Sequence, residues 1–153
     1  MKFGLPLIAV SDMERSKRFY RDVFGLEVTG DFGANVILSD CLSLQTADSW
    51  RGFIGGREVI FGGNAFELYF EEDDLGTFME KLSAMDIRYV HPLIEHSWGQ
   101  RAVRLFDPDG HIIEVGEAMD GVIRRFIAGG MTAGETAARM DVPLAYVLER
   151  IGN

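Results

Sequence analysis

The feature that most constrains the fold of this chain is an internal repeat. An apolar stretch, Phe3 to Val10, is followed by Ser11-Asp12 and then by Met13, Ser16, Phe19, Tyr20 and Val23 at helical spacing. Arg15, Lys17, Arg18 and Arg21 decorate the other face, so the pattern is that of an amphipathic helix with an Asp cap and a stop at Gly25. The same order returns later. Ala65–Glu71 reads as a strand, and Asp73-Asp74 opens a helix through Leu75, Phe78, Met79, Leu82 and Met85. Asp12 maps onto Asp74, Met13 onto Leu75, Tyr20 onto Leu82, Val23 onto Met85 and Val28 onto Val90, all at one offset of 62 residues. Strands are predicted at Leu26–Thr29, Ala34–Leu38 and Cys41–Thr46 in the first copy. In the second they fall at Ile87–Val90, Arg101–Phe106 and His111–Gly116. Each copy therefore reads β-α-β-β-β, and a repeat of this length is a strong organisational signal.

The predicted fold is α+β: two βαβββ modules, about residues 3–46 and 64–117, forming a cupped mixed sheet within a domain spanning 1–118. Their open faces are expected to meet around a cavity. Residues 47–63 interrupt the pattern, with Gly52, Gly55, Gly56, Gly62 and Gly63 among Trp50, Phe53 and Phe61. This segment reads either as a loop whose aromatics cap the core or as a ligand lid. Residues 119–153 read as a helical appendage with helices at 119–128, 132–140 and 143–151, Pro143 sitting in a first helical turn.

At 153 residues and 47% hydrophobic composition the chain is long enough to bury a core without staples. Charge excludes partners. Lys and Arg number 15 against 24 Asp and Glu, for a net charge of −9, which repels nucleic acid and favours cationic small molecules. The one cysteine, Cys41, rules out an intrachain disulfide and a Cys-based zinc site. No apolar run is long enough for a signal peptide or a membrane span, so a cytoplasmic protein is expected. The last two helices have the outline of a helix-turn-helix, which raises a transcription regulator as one alternative. Four arginines there (124, 125, 139 and 150) are cancelled by Asp120, Glu135, Asp141 and Glu149, whereas a DNA reader needs net cations. The appendage is instead expected to pack on the domain or on a second subunit, and a homodimer is the expected assembly.

The chemistry-bearing residues concentrate in the second module. Asp107-Pro108-Asp109-Gly110 is a type I turn by residue preference. A hairpin centred on Pro108-Asp109 would pair Phe106 with His111 and Val103 with Glu114. Glu114 then shares an apolar face with Arg101, Val103 and Leu105, and needs a cation or a metal there. An ion pair with Arg101 and ligation of a metal or ligand are both open. In the preceding strand Glu67 and Tyr69 alternate away from Phe66, Leu68 and Phe70, toward the expected cavity or toward solvent. His91 and His96 flank an irregular segment and read as loop or edge residues, though His96 precedes Trp98 and is expected beside it in the cavity. His111 alternates away from Glu114, outside the site. Trp50, Phe53, Tyr69, His96, Trp98 and Arg101 are the expected ligand contacts, since small-molecule pockets are mainly apolar with few polar groups.

Two stretches resemble a known family. Ile8-Ala9-Val10-Ser11-Asp12-Met13-Glu14-Arg15-Ser16-Lys17-Arg18-Phe19-Tyr20 with Gly25-Leu26-Glu27-Val28 is similar to the opening of the vicinal oxygen chelate superfamily of glyoxalases, bleomycin-resistance proteins and extradiol dioxygenases. Trp98-Gly99-Gln100-Arg101 with Phe106-Asp107-Pro108-Asp109-Gly110-His111-Ile112-Ile113-Glu114 resembles its closing strand pair. The resemblance implies a divalent metal held by His, Glu or Gln on the first and last strands of each module. Carried over, those places fall at Leu5, Ser43, Glu67 and Glu114. Only Glu67 and Glu114 offer strong donors, and Gln45 could replace Ser43 only by a two-residue shift. The expectation is a small-molecule binding protein with a degenerate metal site, holding no metal or a weakly bound divalent ion. The same resemblance implies, as the alternative, a metal-dependent lyase, isomerase or dioxygenase.

Overall fold

The computed structural model describes residues 1–151. It divides into two compact units. Met1–Phe66 with Asp107–His111 forms the first; Glu67–Phe106 with the chain from Ile112 onward forms the second.

The first unit holds β1 (Leu7–Val10), α1 (Met13–Phe24), β2 (Val28–Asp31), β3 (Asn35–Leu38), β4 (Leu42–Thr46) and α2 (Ala47–Phe53). Its sheet runs β1-β4-β3-β2. The Asp12 side chain caps α1 by accepting from the Arg15 amide, and Gly25 ends it at φ 68°, a left-handed conformation that glycine adopts without steric cost. Tyr20 and Val23 turn into the core beneath α1 beside Val10, Val36, Leu38 and Leu44. Each fully buried side chain of this size contributes about 1.5–3 kcal/mol. The segment after Thr46, expected to be irregular, begins with α2. Ala47 through Arg51 are adequate helix formers, and the glycines that suggested a loop act only later, where Gly55 and Gly56 take positive φ.

The second unit repeats the plan with β5 (Glu67–Glu72), α3 (Leu75–Ser83), β6 (Tyr89–Glu95), β7 (Arg101–Phe106) and β8 (Ile112–Glu117), in the order β5-β8-β7-β6. Asp74 caps α3 through the Thr77 amide, as Asp12 caps α1. The parallel registers also correspond: Leu7 lies opposite Ser43 in the first sheet and Tyr69 opposite Glu114 in the second. β6 is longer than expected, and His91 sits within it, paired with Arg104. Its register shifts on both sides of His91. Pro92, which cannot donate to a ladder, is tolerated because β6 is an edge strand.

The β7–β8 hairpin corrects the predicted register by one residue. Phe106 pairs with Ile112 and Arg104 with Glu114. The Gly110 amide does bond to the Asp107 carbonyl at 3.1 Å, as a type I turn requires. Gly110 then adopts φ 90°, which adds a third loop residue, and the Asp107 amide meets the His111 carbonyl at 3.0 Å. A one-residue slip reverses which side chains share a face. Ala102, Arg104 and Phe106 therefore join Glu114, while Val103 and Leu105 face the other way into the core.

The appendage comprises α4 (Met119–Ala128), α5 (Ala133–Met140) and α6 (Leu144–Ile151). Val122, Ile123, Ala137, Met140 and Val147 form their shared core. Thr132 and Glu135 close a capping box at the start of α5. Arg125 of α4 donates to the Gly99 carbonyl at 2.6 Å and to Glu117, and Arg139 of α5 pairs with Glu95 at 3.0 Å. The helices are thus fastened to the second module. No described helix is long and apolar enough to cross a membrane.

Candidate functional site

In the second module, side chains from β5, β6 and β8 converge on one guanidinium of β7. Arg104 of β7 donates through Nε to Glu67 Oε2 at 2.9 Å and through Nη2 to Glu67 Oε1 at 3.4 Å. It also forms an ion pair with Glu114 Oε2, and its Nη1 faces His91 Nε2 at 3.3 Å. His91 Nδ1 lies 2.8 Å from the Pro92 carbonyl, which holds the proton on Nδ1 and leaves the Nε2 lone pair toward the guanidinium. The Glu114 side chain is 8% exposed, so its charge needs a partner. That partner is Arg104 and not Arg101. The expected pair of carboxylates is real, but a cation already lies between them.

Arg101 serves elsewhere. It lies across from Glu117 and donates Nη2 to Oε1 at 2.8 Å and Nε to Oε2 at 3.1 Å. Arg125 grips the same carboxylate from α4, Nε to Oε1 at 3.1 Å and Nη2 to Oε2 at 2.9 Å. Burial pushes the Glu117 carboxyl up, but the hydrogen bonds and charges of Arg125 and Arg101 outweigh it and hold the group at about 2. Arg101 is thus committed to docking the appendage.

Tyr69, His96 and Trp98 do come together. The His96 ring stacks on Trp98 with centroids 4.3 Å apart. Trp98 Nε1 donates to Gln100 Oε1 at 3.1 Å, and Gln100 Nε2 donates to the Tyr69 hydroxyl at 3.1 Å and the Glu117 carbonyl at 2.9 Å. Sequence reasoning passed over Gln100, the residue that links them. Gly116 makes room, since a Cβ there would lie 2.8 Å from the Gln100 amide and 3.1 Å from the Tyr69 ring. His96 Nε2 is buried without a partner among the described residues. Burial first, then the positive charges of Arg104 and His91, lower its pKa, so its neutral form is favoured.

Trp50 and Phe53 belong to the first unit. Trp50 lines a cavity of about 410 Å³ with Leu7, Ala9, Ile54 and Phe61. Phe53 packs edge-on against Trp50, centroids 6.4 Å apart, but stands 70% exposed outside the lining. His111, which strand alternation placed outside any site, is on the cavity wall. Its Nδ1 is 2.8 Å from Asp107 Oδ2, and the same oxygen accepts the Tyr20 hydroxyl at 3.0 Å. Burial works to raise the Asp107 pKa; the hydrogen bond and charge of His111, with that of Tyr20, hold it below the ordinary value.

Two βαβββ units with these strand orders have counterparts among known proteins. A family model of the glyoxalase-like domain matches residues 3–120. The chain belongs to this family. It is thereby a member of the vicinal oxygen chelate superfamily. A protein of unknown function from Agrobacterium tumefaciens is 37% identical, with a TM-score of 0.70 over 77% of this chain and 94% of that one. A lactoylglutathione lyase from Agrobacterium tumefaciens is 24% identical, with a TM-score of 0.62 over 77% of this chain and 94% of that one. A glyoxalase-related enzyme from Fulvimarina pelagi is 19% identical, with a TM-score of 0.66 over 77% of this chain and 88% of that one. At those identities the last two share the glyoxalase-like fold and carry no more than that. The family match ends just inside α4, so nearly all of the three-helix appendage lies beyond it.

Proposed function

We propose that this glyoxalase-like protein binds a small molecule at a site whose metal chemistry has been given up. The observation that carries the reading is Arg104, whose guanidinium bridges Glu67 and Glu114, the two carboxylates at the family's ligand places. A divalent ion does not fit this donor set. Stable sites want three or more protein donors, and a bound ion would have to displace a guanidinium from between its own ligands. In the first module Leu5 offers no donor atom. The Ser43 hydroxyl and the Gln45 carbonyl oxygen both accept from Asn35 Nδ2, at 2.7 and 2.9 Å. Among the described residues no three His, Cys, Asp or Glu side chains are placed to hold a metal.

The reading extends to a cytoplasmic homodimer with no nucleic-acid partner. An exposed free thiol at Cys41 suits a reducing compartment, and light scattering checks the assembly. Equilibrium dialysis against Zn²⁺, Mn²⁺, Ni²⁺ and Fe²⁺ tests the central claim. The expected outcome is no tightly held ion, with oxygen-preferring Mn²⁺ ahead of Zn²⁺ in any weak binding. One tightly held ion per chain, lost in Glu67→Gln or Glu114→Gln, would restore a metal-dependent lyase, isomerase or dioxygenase.

A further inference from the structure

The cavity of the first unit carries an inference about ligand class, and it rests on the small-molecule-binding reading. Its walls are mainly apolar, with Trp50, Phe61 and Phe66 supplying aromatic surface. Two polar residues interrupt them, Glu58 and His111. Among the described residues no side chain pairs with the Glu58 carboxylate. The Nδ1 of His111 is committed to Asp107 at 2.8 Å, so in the neutral ring Nε2 is left as an acceptor. Its tautomer is fixed by a chain that begins in the core, Tyr20 to Asp107 to His111. The Asp107 carboxylate is further held by the amides of Asp109 and His111, at 2.9 and 2.8 Å. The imidazole therefore cannot reorient without breaking a buried network.

A carboxylate and the Nε2 lone pair of a neutral imidazole are both hydrogen-bond acceptors, and in that form neither offers a proton to a ligand. Such a pocket is matched by a donor-rich group and mismatched by an anion. Aromatic faces add attraction for a cation, and the net charge of −9 concentrates cations near the surface. We propose that this cavity binds an apolar, aromatic-bearing primary amine as its ammonium ion, with Glu58 as counter-ion, His111 Nε2 as second acceptor, and Trp50 and Phe61 against the hydrocarbon part. No bond is made or broken; the step is recognition.

The test uses three isosteric probes at pH 8 with the full chain: 2-phenylethylamine, 2-phenylethanol and 3-phenylpropionate. Excitation at long wavelength reads tryptophan alone, and calorimetry gives the affinities. The amine is expected to bind about tenfold more tightly than the alcohol, the worth of one charge-assisted hydrogen bond, and the propionate more weakly than either. The fluorescence response should vanish in Trp50→Phe and persist in Trp98→Phe. Glu58 is exposed, so Glu58→Gln is expected to fold normally, to abolish the amine's advantage and to leave the alcohol's affinity unchanged. If alcohol and propionate bind as well as the amine, or Glu58→Gln leaves the preference intact, the amine assignment is overturned while small-molecule binding stands. If none of the three binds, both readings fail at this cavity.

Discussion

Replacing Glu117 with Gln should cost stability in a way that depends on pH with a definite sign. The Glu117 side chain is 5% exposed and accepts from two guanidinia. Its carboxyl is held at about 2 in the fold against an ordinary 4.5. A group whose folded pKa is depressed contributes stability above its unfolded pKa and loses it as pH falls toward the folded one. The window here runs from 4.5 down to about 2. At about 1.36 kcal/mol per unit of difference, the full effect is about 3 kcal/mol, reduced toward about 2 kcal/mol because both arginines are partly solvated. Gln keeps the shape but removes the charge, leaving Arg101 and Arg125 facing each other without a counter-ion. Urea unfolding of both proteins at pH 7, 5, 4 and 3, followed by circular dichroism, measures the difference. Contributions from other carboxylates cancel in that subtraction. The variant should be about 2–3 kcal/mol less stable at pH 7 and at pH 5, with the gap narrowing through pH 4 and 3 as wild-type Glu117 takes up its proton. A gap that is constant with pH, or under about 0.5 kcal/mol at pH 7, the range of an ordinary surface change, refutes the ion-pair account.

Gly99→Ala should destabilise the protein by about 2–4 kcal/mol through overpacking and backbone strain, because φ is 89° there and the added Cβ would lie 2.2 Å from the Phe126 ring; a thermal melt unchanged from wild type refutes it. Arg104→Leu should leave Glu114 buried without its cation and cost about 3–5 kcal/mol, read by denaturant unfolding; a stability equal to wild type would mean the cluster holds nothing together. Duplex DNA at low salt should not bind, since Arg125, Arg139 and Arg150 are paired with Glu117, Glu95 and Asp120. Sub-micromolar binding that weakens steeply with salt would sink that expectation.

Much of the fold was legible in the sequence because the signals are local. Asp12 and Asp74 cap helices by reaching an amide three residues on, and the apolar spacing beneath them states which face is buried. Both can be read without knowing what lies across the core. The repeat followed, and with it the two like sheets and the family. The candidate site was legible only in part. Glu67, Glu114, Tyr69, His96 and Trp98 stood out as candidates, and the side chains they contact did not. Arg104 could have been found from the hairpin, had Gly110 been read as a left-handed third loop residue and not as the end of a two-residue turn. Gln100 and Glu58 left no comparable signal, since nothing in their immediate neighbours marks them. The β-hairpin shows where the division falls. Composition and turn chemistry determined that residues 101–117 double back at Asp107-Pro108-Asp109-Gly110. One glycine's backbone angle, stabilised by the Asp107 carboxylate and the contacts around it, decided whether Val103 or Arg104 meets Glu114. Side chains in a strand alternate, so a shift of one residue exchanges an apolar neighbour for a cation, and that exchange separates a buried acid opposite Val103 from a pair of acids bridged by Arg104.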